Sequence, residues 1–170
     1  MRDFIEKLLT GADLTDAEME KAFDMIMSGM ASDIHISAFL VALRAKGETP
    51  SEIASAARIM REKALKVSVD FDVVDTCGTG GDSASTMNIS TAVAFVLAGA
   101  GLKVAKHGNR SVSSTSGSAD CLEALGVPID LGPGEAAEAL RKEGFAFMFA
   151  PKYHPSMKHA MPARKGLGMK

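Results

Sequence analysis

The second part of the chain alternates short apolar segments with polar, glycine- and serine-rich loops, and this alternation most restricts its fold. Strand-like apolar runs occur at 67–74, 102–105 and 145–149, and helix-like runs separate them. Repeated units of strand, loop and helix form a mainly parallel sheet with helices on its faces. The pattern therefore predicts an α/β fold for this part of the chain.

The first 66 residues have a different pattern, which is typical of short helices. Apolar residues recur there at helical spacing, behind residues that commonly cap a helix. Two of these caps fit a capping box, in which a threonine is followed three residues later by a glutamate: Thr15 with Glu18, and Thr49 with Glu52. We predict a small N-terminal helical domain (1–66) followed by part of a larger α/β domain (67–170).

Composition excludes several classes of protein. The net charge is −2, from 19 basic and 21 acidic residues, so neither a nucleic acid nor a membrane surface is expected as a partner of the whole chain. The longest apolar run, 92–102, is too short to span a bilayer. The 2 cysteines, Cys77 and Cys121, form no disulfide framework and suit a reducing compartment, so we expect a cytoplasmic protein.

Acidic residues are unevenly distributed along the chain. None occurs between Ser83 and Ala119, where Lys103, Lys106 and Arg110 are found. A chance distribution over solvated faces is one interpretation. The other is an anion-binding site built from the middle and the end of the chain.

The first polar loop contains Gly78, Gly80 and Gly81, which allow the backbone to approach a ligand closely and to turn its N–H groups inward. The helix that follows would present its N-terminus to the same ligand, an arrangement that favours phosphate. The spacing fits neither a Walker A loop nor the dinucleotide fingerprint. A plain tight turn stays open as an alternative. Asp75 and Asp82 flank the loop, and Asp82 is a candidate acceptor that fixes its shape.

The second polar loop adds charged donors. Lys106 supplies a point charge and Arg110 a forked donor, and serine hydroxyls follow. Hydroxyl-rich segments are often flexible linkers, but a linker is not expected between a strand and a helix of a βα unit. Two donor-rich loops that leave one edge of a sheet suit a ligand with more than one phosphate.

Three motifs in these loops carry a resemblance to a known family. They are GTGGD at 78–82, NIST at 88–91 and KHGNRSVSS at 106–114. Together with the N-terminal segment FLVALRAKGETPSEIA and the C-terminal segment FAPKYHPSMKHAMPAR, they resemble the anthranilate phosphoribosyltransferases of tryptophan biosynthesis. The resemblance covers essentially the whole chain and implies a nucleoside phosphorylase/phosphoribosyltransferase-like fold.

The resemblance also implies an activity. The family moves a phosphoribosyl group from phosphoribosyl pyrophosphate (PRPP) to the amine of anthranilate, requires Mg²⁺, and is usually a homodimer joined through the helical domains. By this likeness Ser90 would be a magnesium ligand, and Gly78, Asn109 and Arg164 would bind anthranilate. The residues that would contact PRPP are Gly78, Gly81, Asp82, Thr86, Asn88, Ile89, Ser90, Thr91, Lys106, His107, Gly108, Asn109, Arg110, Ser111, Val112, Ser113, Ser114 and Ser118.

The chain departs from the family pattern in length. Family members are roughly twice as long, and the additional part carries an adjacent Asp-Glu pair that binds magnesium. This sequence contains no two adjacent acidic residues. We therefore expect an N-terminal half or a truncated chain, in which Ser90 lacks its acidic co-ligands. The activity is predicted for the parent protein rather than for these 170 residues.

Two other functions stay open. A pyrimidine nucleoside phosphorylase of the same fold would bind inorganic phosphate and a nucleoside, and the KHGNRSVSS string argues against it. A non-catalytic relative that binds nucleic acid would show more basic charge and a steep salt dependence, and the net charge of −2 argues against that function.

Overall fold

The computed structural model describes residues 1–78, 88–111 and 116–168. Its backbone contacts divide the chain into two compact units. The first consists of helices and the second contains the sheet, with these bounds: Met1–Ala64 together with His154–Lys170, and Leu65–Tyr153.

Four helices make up most of the first unit: α1 (Arg2–Leu9), α2 (Asp16–Met27), α3 (Asp33–Lys46) and α4 (Pro50–Lys63). Both predicted capping boxes are confirmed. Thr15 and Thr49 accept hydrogen bonds from the N–H groups of Glu18 and Glu52, and each glutamate carboxylate accepts the N–H of its cap residue. These bonds satisfy N–H groups that have no partner within the helix.

The core of the first unit lies between two helix pairs, because α2 packs on α4 and α1 packs on α3. Ile26, Ile36 and Phe39 are buried in it, and the ring of Phe23 meets that of Phe39 edge-on at 6.3 Å between centroids. Burial of apolar side chains of this size is the main favourable contribution to folding of such a bundle.

Glu52 is a charged group inside this unit. Its side chain is fully buried and accepts hydrogen bonds from the N–H groups of Leu14 and Thr49, at 2.9 and 2.8 Å, and from the Lys46 ammonium at 2.9 Å. Burial acts to raise the pKa of the Glu52 carboxyl, but these hydrogen bonds outweigh it, and the pKa is lowered. Lys46 also pairs with Asp13 at 2.6 Å. The carboxylate thus joins α3, α4 and the segment before α2.

The C-terminal segment packs with these helices. A 3₁₀-helix (Pro155–His159) and the last α-helix of the chain (Met161–Leu167) follow the second unit, and the side chains of Ala160 and Ala163 are buried in the core of the first. The division into domains at residues 66 and 67 stays a prediction.

The second unit is built on parallel strands, so the predicted fold class is confirmed. Strand β1 (Val104–Gly108) pairs in parallel with β2 (Phe145–Phe149), with Val104 opposite Phe145. On its other side β1 pairs with one residue, Val74, which donates to the carbonyl of Lys103 and accepts from the N–H of Ala105. β1 therefore lies between two parallel neighbours.

Two strand predictions need correction. The segment 67–74 makes a ladder contact only at Val74, because Val67, Val69 and Phe71 use their alternating side chains to pack against a buried cluster instead of pairing along a strand. β1 extends to Gly108, beyond the predicted end at residue 105, because Lys106 and His107 continue the ladder with β2 although they are polar.

Helices connect the strands. α5 (Ile89–Gly99) precedes β1, and α6 (Ser118–Ala124) and α7 (Pro133–Glu143) lie between β1 and β2; the short α8 (Ala150–Tyr153) follows β2. α5 contains no charged residue, yet Val96 on its outer face is 70% exposed. The Tyr153 ring is buried, and its hydroxyl donates to the carbonyl of Leu131 at 3.2 Å. Across the described ranges, every helix is too short or too polar to cross a membrane.

The buried Glu52–Lys46 pair leads to a prediction about stability. Replacing Glu52 with alanine leaves the Lys46 ammonium and two N–H groups without this acceptor, so we expect a loss of about 3–5 kcal/mol in the free energy of unfolding. Urea unfolding followed by circular dichroism measures it. The control is Glu48→Ala, which breaks a pair with Arg44 at 3.6 Å near the surface and should cost less than about 1 kcal/mol. Equal losses in the two variants would contradict the prediction.

Candidate functional site

The candidate site lies where the parallel strands of the second unit end. Residues 75–78 follow the Val74 bridge and residues 109–111 follow β1, so both segments leave the same edge of the sheet. Ligands of open α/β sheets bind at this carboxyl edge. The start of α5 lies beside it, because Lys106 of β1 bonds to Ser90 of α5.

Lys106 is the central charged group of the site. Its side chain is only 1% exposed, and its ammonium donates to Ser90 Oγ at 3.1 Å and more weakly to Thr76 Oγ1 at 3.4 Å. No carboxylate of the described residues pairs with it. Burial lowers the pKa of Lys106, and the negative charge of the nearby Asp75 acts in the opposite direction. Among the described residues, this buried cation therefore has only hydroxyl groups as hydrogen-bond partners.

The start of α5 presents further donors. Ser90 is held by Thr76, whose hydroxyl donates to the Ser90 carbonyl at 2.8 Å. Thr91 is buried, and its hydroxyl has no hydrogen-bond partner in the described part of the chain. The amide of Asn88 reaches Gly117 at the end of the second polar loop, with 3.4 Å between the amide nitrogen and the carbonyl oxygen. Asn88, Ser90 and Thr91 belong to the NIST motif of the sequence.

Asp75 fixes the beginning of the first loop. Its Oδ1 accepts the N–H of Cys77 at 2.9 Å and the N–H of His107 at 3.3 Å. Cys77 Sγ lies 3.9 Å from Nδ1 of His107. Partial burial raises the pKa of the Cys77 thiol, and Asp75 raises it further, so the thiol is protonated at neutral pH. Sequence reasoning placed no base beside Cys77, and the imidazole of His107 is the neighbour that it missed.

Arg110 is paired with acidic residues of α6. Its guanidinium donates to both carboxylate oxygens of Glu123, at 2.8 and 3.0 Å, and to Asp120 at 3.0 Å. The other oxygen of Asp120 accepts the N–H groups of Ser111 and Gly117, at 3.0 and 2.9 Å, and these two bonds are the main reason that the pKa of Asp120 is lowered. The forked donor predicted for phosphate is thus occupied by carboxylates in this structure.

Two glycines allow the second loop to pack closely. A Cβ at Gly108 would overlap Ser118 Oγ and the ring of Phe147, and a Cβ at Gly117 would overlap the backbone of Arg110 and Ser111. Both positions therefore require glycine for steric reasons. Ser118 donates to the carbonyl of Asn109 at 3.3 Å, which brings the two ends of the loop together.

The structure brings together some of the residues that the family resemblance predicts to bind the substrates. Most of the described candidates lie at one edge of the second unit. They are Gly78, Asn88, Ile89, Ser90, Thr91, Lys106, His107, Gly108, Asn109, Arg110, Ser111 and Ser118. Other predicted residues lie outside the described ranges: Gly81, Asp82, Thr86, Val112, Ser113 and Ser114. The role of each residue stays a prediction.

Arg164 belongs to the first unit. It is half-buried on the final α-helix, next to the buried Ala163, and no carboxylate of the described residues pairs with its guanidinium. An arginine of this kind can pair with the carboxylate of a ligand.

The surroundings of Ser90, the predicted magnesium ligand, differ from those that magnesium prefers. Mg²⁺ is usually bound by one or two carboxylates together with substrate phosphates. Within the described ranges, no group of three or more acidic, histidine or cysteine side chains is placed to hold a metal ion. Ser90 Oγ already accepts from a cation at 3.1 Å, which disfavours a second cation. These residues do not form a magnesium site on their own.

Of the acidic residues that organise the site, sequence reasoning named Asp75 only as a neighbour of the first loop and missed Asp120 and Glu123. One signal was available for Asp120, because an acidic residue at the third position of a predicted helix commonly accepts backbone N–H groups at its start. No pattern pointed to Glu123 or to the double acceptor role of Asp75.

Two family models match the chain. The helical bundle domain of a glycosyl transferase family matches residues 2–64, and the α/β domain of a glycosyl transferase family matches residues 70–170. Among curated relatives, the anthranilate phosphoribosyltransferase of Persephonella marina is 54% identical over 100% of this chain and 51% of its own length. That of Chloroflexus aurantiacus is 55% identical over 100% of this chain and 50% of its own length.

Solved structures of anthranilate phosphoribosyltransferases also match the chain. Anthranilate phosphoribosyltransferase from Thermus thermophilus matches with a TM-score of 0.87 and 43% identity, over 99% of this chain and 51% of that one. The Saccharomyces cerevisiae enzyme in complex with PRPP and Mg matches with a TM-score of 0.86 and 29% identity, over 99% and 51%. The chain spans about half the length of the curated relatives it matches. It therefore belongs to the glycosyl transferase family, and the resemblance to anthranilate phosphoribosyltransferases that its motifs predict is confirmed.

Proposed function

We propose that the whole protein is an anthranilate phosphoribosyltransferase, a pentosyltransferase of tryptophan biosynthesis. It would transfer the phosphoribosyl group of PRPP to the amine of anthranilate and give N-(5-phosphoribosyl)anthranilate and pyrophosphate. The relatives that match the full length of this chain support the proposal. The activity is proposed for the whole protein because the chain spans about half of those relatives.

The observation that carries the proposal is the environment of Lys106. A buried ammonium is costly unless a negative charge or several good hydrogen bonds compensate for the lost hydration. Lys106 has two hydroxyl partners, at 3.1 and 3.4 Å, and no carboxylate among the described residues. An anionic ligand at the carboxyl edge of the sheet would supply the missing charge. The N-terminus of α5 would attract the same ligand.

The chemistry requires little acid–base assistance. The aromatic amine of anthranilate is neutral at pH 7, so no strong base is needed to make the nucleophile. The difficult step is the loss of pyrophosphate while the ribose becomes oxocarbenium-like. Lys106 and the backbone N–H groups at the start of α5 would stabilise the charge that develops on pyrophosphate. We propose catalysis by positioning and electrostatics, without a covalent intermediate.

Binding of anthranilate is proposed for two residues on the basis of the family resemblance. Arg164 would pair with the carboxylate, because its guanidinium has no carboxylate partner in the described part of the chain. Asn109 would add a hydrogen bond from its side-chain amide, whose oxygen accepts the N–H of Arg110 at 2.8 Å. The amide NH₂ group of Asn109 would then be the donor for the ligand.

Further properties of the whole protein belong to the same proposal. The requirement for Mg²⁺ is supported by the Saccharomyces cerevisiae relative that was solved with PRPP and Mg. The role of Ser90 as one ligand rests on the family resemblance alone and would need acidic co-ligands from outside the described residues. A homodimer through the helical domain is supported by apolar side chains at the surface of α1 and α3: Leu9, Ile34 and Val41 are 71%, 81% and 46% exposed. A cytoplasmic location suits the free thiols.

An assay of anthranilate fluorescence tests the activity. PRPP and Mg²⁺ are added with anthranilate to this chain and, in parallel, to a longer protein in which the second half of the Persephonella marina relative follows residue 170. We expect fluorescence loss with the longer protein only, because the described residues do not form a magnesium site. Circular dichroism shows that both are folded. No loss with either folded protein would overturn the proposed function.

Replacing Lys106 with methionine separates ligand binding from stability. Methionine is unbranched and of similar length, so it fills the same space without a buried charge. We expect PRPP affinity to fall about ten- to a hundred-fold, while the urea midpoint is unchanged or higher. Isothermal titration calorimetry on the longer protein measures the affinity. The control is Lys103→Met, since Lys103 donates to the carbonyl of Arg141 at 3.0 Å, away from Ser90. Unchanged PRPP affinity in the Lys106 variant would exclude this role.

Replacing Arg164 with alanine tests the proposed anthranilate contact. We expect the KM for anthranilate to rise about tenfold or more, with little change in the KM for PRPP, because the two ligands use different charged groups. Steady-state kinetics of the longer protein, with each substrate varied in turn, gives both constants. The neighbouring variant Lys165→Ala, at an exposed position, is the control. An unchanged anthranilate KM would show that Arg164 has another role.

A further inference from the structure

Asp75 connects two backbone segments through a single carboxylate oxygen. Its Oδ1 accepts the N–H of Cys77 at 2.9 Å, within the first loop, and the N–H of His107 at 3.3 Å, on β1. The residue is exposed, yet no Lys, Arg or His side chain of the described residues forms an ion pair with it. Its carboxylate is therefore engaged by the backbone.

The bond to His107 replaces a bond of the sheet. Val74 donates to the carbonyl of Lys103 and accepts from Ala105. A regular parallel ladder would continue with the N–H of His107 donating to the carbonyl of residue 76. The side chain of Asp75 accepts this N–H instead. The bond to Cys77 is an Asx turn, in which an aspartate side chain takes the N–H two residues later and turns the backbone.

The turn has two consequences. It releases the chain from the sheet after Val74, so that Thr76 can direct its hydroxyl to the Ser90 carbonyl at 2.8 Å. It also ties the segment that leads into Gly78 to the strand that leads into Gly108. The distance between these two segments is then set by one side chain instead of by the ladder.

We propose that Asp75 is a positioning residue for the phosphoribosyl donor, which sets the spacing between the Cys77–Gly78 segment and the end of β1. The proposal rests on the proposed function for the identity of the ligand, and on the two hydrogen bonds for the geometry. The sequence-based expectation that Asp82 fixes this loop stays a prediction, because Asp82 lies outside the described residues.

Three substitutions separate the possible contributions of Asp75. Asp75→Asn keeps an oxygen acceptor and removes the charge. Asp75→Ala removes the acceptor. Asp75→Ser keeps a shorter acceptor that can reach the N–H two residues later but not the neighbouring strand. Asp72→Ala is the matched control, because Asp72 is an exposed aspartate of the same segment without a side-chain bond to the described residues.

The first readout is independent of any ligand. Amide hydrogen exchange of Cys77 and His107 is measured by NMR on the 170-residue chain. We expect exchange at His107 to be at least about tenfold faster in the alanine and serine variants, and within about threefold of the original chain in the asparagine variant and in Asp72→Ala. Faster amide exchange at Cys77 than in the original chain is expected only for the Asp75→Ala variant. Exchange at His107 that is unchanged in the serine and alanine variants would overturn the positioning role.

The second readout is the affinity for PRPP, measured by calorimetry on the longer protein. We expect a loss of about tenfold or more for Asp75→Ala and less than about threefold for Asp75→Asn and Asp72→Ala. An equal loss for asparagine and alanine would mean that the charge matters and the acceptor does not, which overturns the proposal. If the original protein binds no PRPP, the proposed function fails, and the exchange rates still decide whether Asp75 holds the two segments. If Asp75→Ala does not fold, the serine and asparagine variants give the same comparison.

Discussion

Backbone pairing of β1 determines where the candidate site residues of the second unit lie. The strand is bonded to Val74 on one side and to β2 on the other, and all three run in the same direction. Alternation along β1 then places Val104 and Lys106 on one buried side. An aliphatic side chain would satisfy this position, as Val104 does two residues earlier. Burying the Lys106 ammonium costs free energy of hydration. The ammonium reaches the edge at which residues 75–78 and 109–111 leave the sheet.

Glu52 and Lys106 are both buried charges, and they differ in what surrounds them. The Glu52 carboxylate is satisfied within the protein by Lys46 and two backbone N–H groups. Removing any of these partners would leave a charge or a donor without compensation, so the arrangement stabilises the fold. Within the described ranges, Lys106 bonds only to hydroxyl groups. A buried charge without a carboxylate partner among the described residues is suited to a ligand of opposite charge, and this contrast is the reason for proposing a binding role for Lys106 and a structural one for Glu52.

Much of the local structure could be predicted from the sequence. Both capping boxes and β2 occur where the pattern placed them, because caps and short apolar runs depend on residues that are close in sequence. The segment 67–74 has the alternation of a strand but pairs only at Val74, since pairing depends on what a neighbouring strand offers and not on periodicity.

The candidate site could be predicted in its composition but not in its internal bonding. The motifs indicated Lys106, Ser90 and their neighbours, and the structure brings those two side chains within 3.1 Å. The pairing of Arg110 with Asp120 and Glu123 was not predicted, because α6 folds these acids back onto a loop that has no acidic residue of its own. Bonds from a side chain to a distant backbone group, such as that between Asp75 and the N–H of His107, leave no pattern in a single sequence.

The position of Tyr153 makes the second unit separately visible in the near ultraviolet. The chain has no tryptophan and a single tyrosine, and that ring is buried with its hydroxyl bonded to the Leu131 carbonyl. Burial raises the pKa of this phenol, so its ionisation in alkali reports loss of structure around α8. The first unit contains neither chromophore and contributes almost only to the far-ultraviolet helix signal. A near-ultraviolet transition that differs from the far-ultraviolet one on the same sample would therefore show, without any label, that the second unit melts separately from the other helices.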